Sequence, residues 1–182
     1  MKTLNLVFFA ALSLMFLSSC SNQLTYFSQN LYDEYRWPEQ ELKKIQFYTS
    51  QDIVLKRELS GGSSEIISGK IKIENGRQIE VVVIRKGTPG AFLFSPKNDR
   101  FAISFEEDGD SPRYLMFGPN PKFNDRYALL ASEWKRNSGQ VTYDGKKWSV
   151  TSDDAYATLL VDMRKIDKVS VNSRVAKGRP ID

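Results

Sequence analysis

The chain has 182 residues, 26 Lys and Arg against 22 Asp and Glu, and a net charge of +4. Histidine is absent and cysteine occurs once, which excludes His-based catalytic triads, His metal ligands and any intramolecular disulfide. The mild positive balance is far from that of a polybasic nucleic-acid binder.

The N-terminus places Lys2 before an apolar run from Leu6 to Leu17, followed by the small residues Ser18 and Ser19. This is the layout of a secretory signal peptide. At twelve residues the run is shorter than the roughly twenty that a membrane-spanning helix needs. The segment Leu17-Ser18-Ser19-Cys20 resembles the lipobox of bacterial lipoprotein precursors, with Ser19 where Gly or Ala is commonest. That resemblance implies a diacylglyceryl group on the Cys20 sulfur, removal of residues 1–19 and an acylated Cys20 as the new terminus. A thiolate is the natural acceptor for such a group. Several acyl chains on one residue hold to a bilayer where a single chain binds only marginally. Cleavage leaves 182 less 19, or 163, residues and takes Lys2 away, so the net charge falls to +3. One domain is expected from that length.

Residues 20–37 read as a tether and a helical arm. Leu24, Phe27, Leu31 and Tyr35 recur at spacings of three, four and four, which predicts one apolar helix face. Trp37-Pro38 interrupts it, because the residue before proline avoids the helical region. Pro38 then opens a short turn through Glu39, Gln40 and Glu41.

Residues 38–182 form the expected single β-rich domain, with turn signals every eight to twelve residues. The predicted strands are Lys44–Thr49, Ile53–Leu59, Glu65–Ile73, Arg77–Arg85, Ala91–Ser95 and Arg100–Glu106. The series continues with Arg113–Phe117, Tyr127–Lys135, Gln140–Tyr143, Trp148–Thr151, Tyr156–Met163 and Lys168–Ala176. Around Asn75-Gly76 a three-residue loop, Glu74 to Gly76, sets Ile71 opposite Ile79 on a shared face. Around Asp144-Gly145 the apolar residues change parity, so the loop must be even. A four-residue loop from Asp144 to Lys147 pairs Tyr143 with Trp148 and Val141 with Val150. Strands with one apolar face imply an all-β fold: an antiparallel β-sandwich or a partly closed barrel of about ten short strands, preceded by the short N-terminal helical arm.

Several patterns carry chemistry elsewhere. Ser132-Glu133-Trp134-Lys135 matches the S-x-x-K of penicillin-recognising enzymes, which requires a helix. It lies here in a strand-like run, where residues three apart face opposite ways, and its companion motifs are absent. Glu106, Glu107, Asp108 and Asp110 cluster in a turn without the spacing of a calcium loop, so a solvated acidic turn is expected and no metal. Asp33-Glu34 and Asp153-Asp154 are the nearest approach to the paired carboxylates of a hydrolase, and adjacent acids on a strand point apart. Trp134, Tyr143 and Trp148 meet at one end of the expected sheet, where they would make a platform for sugar faces. Core packing is the commoner use of such residues. From Arg164 onward six cations, including Arg174, Lys177 and Arg179, stand against Asp167 and Asp182, a basic tail suited to lipid phosphate or an acidic partner.

The stretches "KKIQFYTSQDIVL", "RYLMFGPNP" and "ATLLVDMRKIDKVSV" resemble small envelope lipoproteins of the Bacteroidota, a group that implies an address and no activity. In that group an acidic run after the cysteine accompanies surface export. Ser21-Asn22-Gln23 follows here, which points to the periplasmic face of the outer membrane. The expectation is a non-enzymatic binding or structural module with no cofactor, held to the membrane through Cys20 and facing an envelope protein. A glycan-binding domain and a carboxylate-based hydrolase are the alternatives.

Overall fold

The computed structural model describes residues 24–59, 70–74, 77–97, 99–107 and 113–170. Cys20, the signal segment, and Arg174, Lys177 and Arg179 of the basic tail lie outside them. Thirteen strands form two antiparallel sheets. They are β1 (Leu24–Tyr26), β2 (Gln46–Thr49), β3 (Ile53–Glu58), β4 (Lys70–Glu74), β5 (Arg77–Ile84), β6 (Pro89–Lys97) and β7 (Arg100–Ser104). The others are β8 (Leu115–Asn120), β9 (Arg126–Leu129), β10 (Ser132–Lys135), β11 (Ser138–Tyr143), β12 (Lys146–Thr151) and β13 (Leu159–Asp162). Three short helices accompany them: α1 (Gln29–Tyr35), α2 (Glu39–Leu42) and α3 (Met163–Ser170). The order is β1-β13-β2-β6-β7-β8-β9 in one sheet and β10-β11-β12-β3-β5-β4 in the other. The expected all-β sandwich with a helical arm is the fold observed.

The seven-stranded sheet curls until its ends meet, although no continuous ladder closes it. Phe27 N donates to Leu159 O at 2.9 Å, Tyr127 N donates to Phe27 O at 3.0 Å, and Leu129 N donates to Ala157 O at 2.9 Å. Isolated bridges at Ser28 with Arg126 and Ala128 with Thr158 complete the contact. Inside the curl lies an aromatic cluster centred on Phe27, with Tyr127, Phe47, Phe101 and Trp37 at ring-centroid distances of 4.9, 5.2, 5.6 and 6.0 Å.

Four sequence expectations are corrected. The arm is not helical from Leu24: residues 24–26 pair with β13, and α1 begins only after Ser28, whose Oγ accepts from Leu31 N. An available sheet edge and a Ser N-cap outweigh the apolar spacing. The β4–β5 hairpin pairs Ile73 with Gln78 and Glu74 with Arg77, so only Asn75-Gly76 intervene and Ile71 faces Glu80. The inward partners Ile53, Leu55 and Arg57 of β3 select Ile84, Val82 and Glu80, the even positions of β5, and leave Ile73 75% exposed. The β11–β12 loop is even but has two residues: Tyr143 pairs with Lys146 and Val141 with Trp148. Asp144 and Gly145 take φ of 52° and 68°, the two positive values of a type I′ turn. Finally, Lys168 to Ser170 belong to helix α3 rather than to a strand. The Asp162 carboxylate accepts from Arg164 N at 3.2 Å and Ile166 is buried, which starts and seats that helix. Residues 171–176 lie outside the described residues.

The predicted run Tyr127–Lys135 is split as well. It divides into β9 and β10 because the chain leaves one sheet for the other at Leu130-Ala131.

The six-stranded sheet buries an ion pair on its inner face. Glu80 is fully buried and accepts from both Nε and Nη2 of Arg57, whose guanidinium lies 5.3 Å from the Trp148 ring centroid. Arg57→Ala would strand that carboxylate and is expected to lower unfolding stability by about 3–5 kcal/mol. Arg57→Met with Glu80→Leu is expected to recover most of the loss. Urea titration of the three chains measures both effects, and a single variant within about 1 kcal/mol of the parent would contradict a buried pair.

Candidate functional site

The crossover at Leu130-Ala131 brings β6, β7 and β8 of one sheet close to β10 and β11 of the other. Between them opens a groove of about 710 Å³. One wall is apolar: Phe94 and Tyr114 pack edge to face at 5.2 Å, with Met116 beside them. The opposite wall offers Ser132, Gln140 and Thr142. Pro strains no ladder in this wall, since Pro96 sits where β6 is irregular between Phe94 and Lys97. Lys97 and Arg100 pair across the β6–β7 turn and bring two cations to one lip.

Leu130 and Ala131 also floor a second, shallower groove of about 360 Å³. Its lining includes Trp134, Phe123 and Tyr156, the last two with ring centroids 5.0 Å apart. Trp134 is 44% exposed and Tyr156 55% exposed. A Cβ on Gly139 would come within 3.0 Å of the Trp134 ring, so this glycine lets the indole lie against β11. The two grooves have Leu130 and Ala131 in common. None of their lining residues is a carboxylate.

One polar atom in this surface has a specific consequence. Gln140 Oε1 is buried and accepts no hydrogen bond among the described residues. Leaving such an acceptor unmet costs about 1–3 kcal/mol.

The aromatic platform expected from the sequence divides. Trp134 reaches the surface, whereas Tyr143 and Trp148 are core residues, 1% and 2% exposed, with rings 6.2 Å apart. Trp148 Nε1 donates to Tyr143 O at 3.0 Å, so the indole is committed to the hairpin turn. Phe94, Tyr114, Phe123 and Tyr156 were not legible as site residues, because they come from three separate regions of the chain. The Ser132–Lys135 motif is a strand, as its context suggests, and Ser132 Oγ donates to Gln140 O at 3.4 Å.

Several other acidic groups have local partners. Asp154 is buried and its carboxylate accepts from Val54 N at 2.9 Å and Thr151 N at 2.6 Å, which gives it a structural task joining β3 to β12. Asp33 lines a polar cleft with Gln29, Tyr32, Arg36 and Asp99. Of the acidic turn, Glu106 pairs with Arg113 at 3.2 Å, and Asp108 and Asp110 lie outside the described residues. Among the described residues no cluster of three or more acidic or thiol side chains is placed to hold a metal.

Two core phenols resist ionisation. Burial, then the Glu106 carboxylate, pushes Tyr143 far above its ordinary range. Burial, then the neighbouring Tyr32, Asp99 and Asp33 groups, does the same to Tyr127. In the unfolded chain both phenols lose protons near pH 10, while the folded chain keeps them. The unfolded state then binds fewer protons, so stability falls as pH rises through 10. Each phenol is expected to contribute about 1.4 kcal/mol of loss per pH unit there. Urea midpoints between pH 9 and 11, with phenolate absorbance of the folded chain, check this. Full native phenolate signal at pH 11 would contradict it.

No family model matches the chain, and no curated protein or solved structure is detectably similar to it.

Proposed function

We propose that this chain is a lipid-anchored envelope protein whose β-domain is a non-enzymatic binding module, and that the paired grooves hold an extended glycan. The supporting observation is the pair of grooves meeting at the sheet-to-sheet crossover, in which Trp134, Tyr156 and Phe94 are exposed beside hydroxyl and amide groups. Sugar rings present an apolar face to such aromatics and hydroxyls to such polar groups. Cys20 supplies the membrane attachment in this reading, and β1, seated against β13, carries the tether directly into the folded domain. The periplasmic face of the outer membrane is the proposed address.

A second reading, an envelope-protein partner, rests on β4, the last strand of the six-stranded sheet among the described residues, where Ile73 is largely exposed, an arrangement suited to strand addition.

Two outcomes are expected. Cys20→Ala should move the protein from the membrane to the soluble fraction of cell lysates, since the acyl chains supply the attachment. Continued membrane association would remove the anchor from the proposal. Trp134→Ala should weaken binding of envelope polysaccharide fragments by about ten-fold, the scale of one lost stacking contact. Affinity electrophoresis in gels containing the polysaccharide measures it, and equal retardation of both chains would count against the site.

A further inference from the structure

The lip formed by Lys97 and Arg100 says what kind of glycan the surface suits. The two residues face each other across the β6–β7 turn, at the end of the groove away from Trp134. Neither makes an ion pair among the described residues, whereas other cations of the fold do, Arg113 with Glu106 and Arg85 with Asp52 among them. The nearest acid in sequence, Asp99, lines the separate cleft beside Tyr32. No carboxylate is among the residues lining either groove, and Glu133, which lies on β10 between Ser132 and Trp134, is paired with Lys147 at 3.2 Å.

From this geometry we infer that the ligand is an acidic oligosaccharide, one whose uronic carboxylates meet Lys97 and Arg100 while a neighbouring ring stacks on Trp134. The inference rests on the glycan reading above. The charged lip selects for anions, because guanidinium and ammonium groups bind carboxylates through charge-assisted hydrogen bonds. The aromatic end selects for rings, because extended peptides have no flat face to offer it. A surface that combined both would favour an acidic glycan over a neutral glycan and over an acidic peptide.

The test uses the full chain in detergent micelles and calorimetric titration with three probes: hexagalacturonate, its carboxyl-reduced neutral hexamer and hexaglutamate. Hexagalacturonate is expected to bind at least about ten-fold more tightly than either of the others, a preference that shrinks as salt is raised. Lys97→Gln with Arg100→Gln should bring the acidic-to-neutral ratio close to one. Trp134→Ala should weaken both sugar hexamers together. Equal binding of the acidic and neutral hexamers overturns the charge inference and leaves the glycan reading standing. Hexaglutamate binding as tightly as hexagalacturonate overturns the glycan reading, because the lip would then respond to charge on any chain. No binding of either sugar overturns both. A ratio unchanged in the Lys97 and Arg100 variant places the selectivity elsewhere and overturns the assignment of the lip.

Discussion

Phe27 is the point on which the seven-stranded sheet closes. Its backbone N–H reaches Leu159 and its carbonyl receives Tyr127, so one residue joins the two ends of a sheet whose strands are otherwise far apart in order. Its ring, fully buried, sits among five other aromatic rings. Backbone pairing without the ring would leave a curled sheet with nothing inside. The ring without the pairing would have no reason to sit at its centre. Buried aromatic pairs of this kind contribute beyond their area, and here they also fix the curvature.

The binding surface inherits that geometry. Because Tyr127 and Leu129 are held to Phe27 and Ala157, β9 ends at a defined place, and the chain must cross to the other sheet through Leu130-Ala131. The crossover is the floor shared by both grooves. Leu130 is fastened to β8 as well, its N–H donating to Met116 O at 2.8 Å. A site mounted on such a junction needs no moving parts, and groups held by two sheets at once stay in place for a ligand. β1 and Phe27 are consecutive, so in the proposed reading a membrane attachment through Cys20 and the ligand surface would be linked through a few residues of this seam.

The polar groups of the interior are mostly structural. Arg57 with Glu80 and Asp154 with the Val54 and Thr151 amides each consume charge or hydrogen-bonding capacity inside the fold. The cations of Lys97 and Arg100 and the exposed rings of Trp134 and Tyr156 lie instead at the surface, and they are the groups on which the binding reading proposed above rests.

By itself the sequence indicated most of the strands, because alternation of apolar and polar residues is a local property, and the place of the Asp144-Gly145 turn, though not its two-residue length. The order Leu17-Ser18-Ser19-Cys20 resembles a processing signal, whose consequence is a proposal. Register was another matter. The β4–β5 pairing depends on which face β3 turns inward, and the partner of Glu80 is Arg57, twenty-three residues earlier. A local parity count cannot see that partner. The fate of the aromatics was decided at the same level: Tyr143, Trp148 and Trp134 are near neighbours in sequence, yet two fill the core and one faces solvent beside Phe123 and Tyr156. The groove itself was invisible, since its walls come from two sheets that meet only where the chain changes from one to the other. Sites assembled at such a crossover are properties of tertiary closure, and here closure depends on Phe27.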